Sequence, residues 1–106
     1  MIQSTGLVEV GQTLTDGNRL GDLAELYTLT WLWDEGYEVF HNAGCTGPVD
    51  IVALKDGEVH LFDVKHNSSN KANNARGRTS LQKKMGVKYI MFNPKTRKLR
   101  IVKHRS

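Results

Sequence analysis

Asp50 and Asp63 stand 13 residues apart, with Lys65 two residues after the second. Between the two acids, Asp56-Gly57 separates two runs rich in Val, Ile, Leu and Phe, Asp50 to Lys55 and Glu58 to Lys65. An Asp-Gly pair favours a two-residue type I′ turn, because both central residues must take a positive φ. Closing the hairpin there pairs Lys55 with Glu58, Val52 with Leu61 and Asp50 with Asp63. Two carboxylates opposed across a hairpin repel by up to about 1 kcal/mol when solvated, and more when partly buried. Strand alternation puts Lys65 on the same face, roughly 6–7 Å further along. A divalent cation offsets the repulsion naturally. Mg²⁺ takes a few carboxylate oxygens, keeps several waters and accepts substrate phosphate oxygens, and the Val64 carbonyl lies between the acids as a further hard ligand. Lys65 adds a cation for a phosphate oxygen or an attacking water. The chemistry these residues suit is metal-assisted hydrolysis of a phosphodiester. Taken singly, each has an ordinary explanation as a turn residue or a solvated pair; taken together, acids in an apolar strand need a common one.

The elements that must position this set are legible on either side of it. Asn18 to Glu35 predicts a helix, with Asn18 as its cap, Leu23, Leu26, Tyr27, Thr30 and Trp31 recurring at helical spacing, and Gly36 as its end. Glu25 has Gly21, Leu29 and Leu32 as its helical neighbours, which places its carboxylate on a largely apolar stripe. Tyr37 to His41 predicts a strand, followed by a turn of small residues from Asn42 to Pro48. Downstream, Ser80 to Met85 predicts a short helix ended by Gly86, then strands at Val87 to Asn93 and Leu99 to His104 around a turn at Pro94 to Lys98. A weak strand pattern at Leu7 to Leu14, interrupted by glycines, leaves residues 1–17 as an N-terminal extension.

Charge is divided along the chain more sharply than the net +4 suggests. Residues 1–63 hold all 11 acids with only Arg19 and Lys55 as bases, a balance of −9; residues 64–106 hold 13 bases and no acid, a balance of +13. So small a domain must display a basic face, and a polyanion is its natural partner. The polar segment 66–78 carries Lys71, Arg76 and Arg78, with Ala72 and Ala75 as its apolar side chains. It is expected to be a mobile basic loop that closes over nucleic acid. At 106 residues the chain is read as a single domain. One cysteine, Cys45, allows no internal disulfide. No stretch approaches the roughly 18 apolar residues of a membrane span, so the expected location is the cytoplasm.

With these residues in view, the sequence resembles the PD-(D/E)XK nuclease superfamily. The likeness rests on Gly47-Pro48-Val49-Asp50, on Asp63-Val64-Lys65, and on the upstream helical Glu25 in Gly21-Asp22-Leu23-Ala24-Glu25. It covers residues 19–65 well and 80–102 as a helix-and-strand pattern. The spacing is most similar to the archaeal-type Holliday-junction resolvases, with small phage or intron-encoded endonucleases close behind. Val49 stands between Pro48 and Asp50, as though one residue were inserted into the usual motif. The resemblance implies an α/β fold with a central mixed sheet flanked by helices, Mg²⁺ dependence with Mn²⁺ as a substitute, and DNA hydrolysis to a 5′-phosphate and a 3′-hydroxyl. It assigns Asp50 and Asp63 as metal ligands, Lys65 as the catalytic lysine, and Glu25 as an outer ligand or an orienter of metal-bound water. Gln82 resembles the helical glutamine that some members place near the metal, and with Lys83 and Lys84 it is a candidate DNA contact.

The expected function is therefore a metal-dependent DNA endonuclease selective for branched DNA. The alternatives are a sequence-specific homing or restriction-type endonuclease, and a non-catalytic nucleic-acid-binding module on the same fold. Symmetric incision of a junction or duplex calls for a homodimer or higher homo-oligomer, most simply a two-fold dimer, with Trp33 and Leu29 or Leu32 as candidate contacts. His41, His60, His66 and His104 lack metal-ligand spacing. His60 should face away from Asp63, and only His66, beside Lys65, is placed to touch substrate. Trp31 is expected in the core.

Overall fold

A computed structural model describes residues 17–44, 46–67 and 77–103. Their order is α1 (Gly17–Asp34), β1 (Glu38–His41), β2 (Ile51–Lys55), β3 (Glu58–His66), α2 (Ser80–Met85), β4 (Lys88–Asn93) and β5 (Lys98–Ile101). The five strands form one mixed sheet in sequence order. Every neighbouring pair is antiparallel except β3 and β4, which run parallel. A parallel pair needs a long crossover, and residues 67–87, with α2 among them, supply it. The fold is α/β, a five-stranded mixed sheet flanked by helices, as expected.

The β2–β3 hairpin closes on Asp56-Gly57, with φ of 54° and 79°. Both values are positive, as a type I′ turn demands. The predicted register follows: Lys55 opposes Glu58 and Val52 opposes Leu61. At α1 the helical span is right within a residue, but the buried face is not the predicted one. Leu20, Ala24, Thr28 and Leu32 are buried, whereas Leu26 is 59% exposed and Tyr27 and Thr30 are also exposed. Ala24 and Thr28 are short, which lets the helix lie close to the sheet, and the Thr28 hydroxyl donates to the Ala24 carbonyl at 2.7 Å instead of meeting apolar neighbours unpaired. Gly36, at φ 97°, ends the helix. The Lys55 ammonium then donates to the Glu35 carbonyl at 2.7 Å, tying the helix end to the hairpin.

The core lies between α1 and one face of the sheet, with Leu32, Ile51, Ala53, Phe62 and Ile90 at its centre and Leu29, Trp31 and Val64 packed around them. Alternation along β3 sends Asp63 and Lys65 to the other face, where α2 lies. α2 spans the predicted residues, opened by a capping box between Thr79 and Gln82 and closed by Gly86 in the left-handed region. β5 is shorter than predicted, running from Lys98 to Ile101. No helix among the described residues is long and apolar enough to cross a membrane. The predicted strand at 7–14, Cys45, His104 and most of the basic loop lie outside the described residues.

Candidate functional site

Asp50 sits just before β2, where the hairpin ladder ends. Its N–H donates to the Phe62 carbonyl at 2.8 Å and its carbonyl accepts the Asn42 N–H at 2.8 Å, so the backbone is held from both sides. The turn ahead of it is held by Asn42, whose amide nitrogen donates to the Thr46 and Val49 carbonyls at 2.7 and 2.9 Å. Beyond the end of β2 the Val64 N–H pairs with a side chain: it donates to Asp50 Oδ2 at 2.7 Å. Asp50 thus reaches Asp63, the hairpin partner that the sequence predicted.

Burial, a hydrogen bond with the Asp63 side chain, and the charges of Asp63 and Glu25 push the Asp50 carboxyl up to about 7; the Val64 N–H offsets this only in part. Asp63 itself is 7% exposed in the middle of an apolar strand. Its Oδ2 accepts the Gln82 side-chain amide at 2.8 Å and lies 3.3 Å from the Lys65 ammonium. Lys65 is 5.4 Å from the centre of the Tyr89 ring, with its side chain 45% exposed. The structure brings Asp50, Asp63 and Lys65 together, with their own contacts already in place.

Glu25 is directed toward this end of the sheet from α1. Its Oε1 is 2.5 Å from His41 Nε2, a partner that sequence reasoning did not identify. The pairing of β1 with β2 puts His41 opposite Ile51, the residue after Asp50, so only that register reveals the contact. Tyr89 was missed for a similar reason. It opposes Asp63 across the parallel pair, a register set by the crossover and not by a short turn. Its hydroxyl donates to the Gly77 carbonyl at 3.1 Å and is 3.4 Å from Gln82 Oε1.

Gln82 is a correction to the expected DNA contacts. It is 4% exposed, and its amide nitrogen donates to the Pro48 carbonyl at 3.0 Å as well as to Asp63, while Oε1 accepts the Thr79 N–H. A buried glutamine with both ends spent inside the fold holds Asp63 and does not meet a ligand at the surface. Arg78 is half-buried and donates to the Val87 carbonyl at 3.1 Å, which anchors it to the sheet. Lys83 and Lys84 are exposed on α2, while Lys71 and Arg76 lie outside the described residues. His66 falls on the opposite side of β3 from Lys65, in register with the buried Phe92, so its proximity in sequence does not place it on the Lys65 face. Burial and the adjacent Lys65 charge lower its pKa. His60 stacks on Phe62, away from Asp63, as predicted. Leu32 is fully buried and drops out as an interface residue; Trp33 is 62% exposed.

Two crowded acids, one half-buried and one buried, are a donor set suited to a hard divalent cation. Among the described residues no three His, Cys, Asp or Glu side chains converge to hold an ion by themselves. Such a cation would therefore share Asp50 and Asp63 with the Val64 carbonyl, water and a phosphate. Compared with known proteins, the chain matches no family model and no curated sequence.

Proposed function

We propose that the protein is a metal-dependent DNA endonuclease. The observation that carries this reading is the placing of two interacting carboxyls, Asp50 and Asp63, beside the Lys65 ammonium at one end of the sheet, in a chain whose residues 64–106 carry 13 bases and no acid. Mg²⁺ or Mn²⁺, held by Asp50, Asp63 and the Val64 carbonyl with Glu25 as an outer partner, would supply Lewis acidity and an ionised water. The chain's own residues then have distinct tasks. Gln82 fixes the Asp63 carboxylate. The Val64 N–H fixes Asp50. Lys65 leaves Asp63 for a phosphate oxygen and stabilises the charge that builds on it during attack. Branched DNA is the proposed substrate, cut by a homodimer whose two sites make paired incisions, and exposed Trp33 is the proposed contact. Such an activity belongs in the cytoplasm that contains the DNA, of the cell itself or of a phage host.

One observation favours a second reading, a catalytically silent nucleic-acid-binding module. The carboxyls are already satisfied within the protein: Asp50 by Asp63 and Val64, Asp63 by Gln82 and Lys65, Glu25 by His41. Incubating the purified protein with junction, duplex and single-stranded DNA in Mg²⁺, Mn²⁺ or EDTA separates the two. Metal-dependent cutting is expected for the enzyme; binding without cutting under every condition leaves the module.

A further inference from the structure

Lys65 lies in a cross-strand row with Met91 of β4 and Arg100 of β5. Met91 is buried, so the two cations flank an apolar floor. Lys98, two residues before Arg100, shares its face by strand alternation and opposes Asn93. Asn67, Met91, Asn93, Thr96, Lys98 and Arg100 are among the residues lining a groove of about 390 Å³, which runs from Met91, the cross-strand partner of Lys65, to β5, the last strand of the sheet among the described residues. Lys98 and Arg100 are both exposed. The other side of the site is different in charge: β1 carries Glu38, and the hairpin carries Asp56 and Glu58.

We infer that this groove is a phosphate track, in which Lys98 and Arg100 hold the nucleic-acid backbone that leads away from the site, so that the strand crosses β4 and β5 and avoids β1 and the hairpin. The inference rests on the reading of the site as nucleic-acid-directed and adds the path of the strand. Two strand spacings separate Lys65 from Arg100, about 10 Å. At that distance a single nucleic-acid backbone can meet Lys65 and Arg100 through phosphates near one another on the same strand. Asn67, Asn93 and Thr96 provide uncharged hydrogen-bonding groups along the same path, the kind of contact that fixes a backbone in register without reading sequence.

The test is binding of a labelled junction and a labelled duplex in EDTA across a salt series, using the full chain. The double variant Lys98→Ala/Arg100→Ala should bind roughly 5- to 20-fold more weakly near 0.1 M salt, and its log–log salt slope should be shallower by about 1.8, at roughly 0.9 per lost phosphate contact. Its melting temperature should match the wild type, since both side chains are exposed. The charge-retaining variant Lys98→Arg/Arg100→Lys should keep the wild-type slope. Lys88→Ala is the matched control, because Lys88 alternates to the α1 face of β4. An unchanged slope in the double variant, or an equal loss in Lys88→Ala, overturns the track while leaving the nucleic-acid reading intact. A wild-type protein that binds neither DNA overturns both. Binding with the slope change present supports the track, whether or not the protein cuts once Mg²⁺ is added.

Discussion

Replacing Asp50 by asparagine should stabilise the metal-free protein, and should do so only above the pH at which the unfolded carboxyl ionises. The unfolded carboxyl titrates near its ordinary 3.8, whereas in the fold it is pushed up to about 7. Between those values the folded state holds a proton that the unfolded state has released, so stability falls as pH rises; above about 7 both are ionised and the penalty is constant. For a fully buried group a displacement of that size corresponds to about 4 kcal/mol. Asp50 is only half-buried, and solvent screening reduces the expected penalty to about 1–2 kcal/mol. Asparagine keeps the geometry, since its carbonyl oxygen accepts the Val64 N–H and its amide donates to Asp63. Thermal unfolding in EDTA should therefore give Asp50→Asn a melting temperature about 4–16 °C above wild type at pH 8. The gap should close progressively as pH falls toward 4. Millimolar Mg²⁺ should raise the wild-type value and leave the variant almost unmoved. A lower melting temperature for the variant at pH 8, or a gap independent of pH, would refute the account of Asp50 as a carboxylate under repulsion.

Asp63→Asn and Lys65→Ala should each abolish cleavage while leaving DNA affinity within a few-fold of wild type, because affinity comes from phosphate contacts spread across the basic half; parallel loss of binding in a mobility-shift assay would make them a substrate clamp instead. Gln82→Ala should cost about 2 kcal/mol in denaturant unfolding, since it removes the capping box and the amide donated to Asp63, and a change below about 0.5 kcal/mol would remove Gln82 from the support of the site. Leu32→Ala should cost about 2–5 kcal/mol by opening a cavity under α1, whereas Leu26→Ala, at an exposed position, should stay within about 0.5 kcal/mol. Trp33→Arg should shift the sedimentation mass from dimer to monomer, and a wild-type monomer at micromolar concentration that still makes paired cuts would discard the dimer.

How much was legible beforehand follows the range of the interactions. The hairpin, its register and the approach of Asp50 to Asp63 depend on Asp56-Gly57, two adjacent residues whose positive φ values leave few alternatives. The span of α2 was equally local, written in Thr79, Gln82 and Gly86. The separation of acid from base was compositional and needed no folding at all. The buried face of α1 was different, because apolar periodicity favoured the larger residues, while packing chose Ala24 and Thr28, which fit close against the sheet. The His41 contact with Glu25, Tyr89 beside Asp63 and Gln82 beneath it depend on β1 pairing and on the parallel β3–β4 crossover, contacts between residues separated by 7 to 26 positions for which no short turn sets the register. Sequence alone determined which groups could do chemistry and which half would meet an anion. Tertiary structure decided which hydrogen bonds hold those groups, since burial and cross-strand register exist only after distant segments have packed.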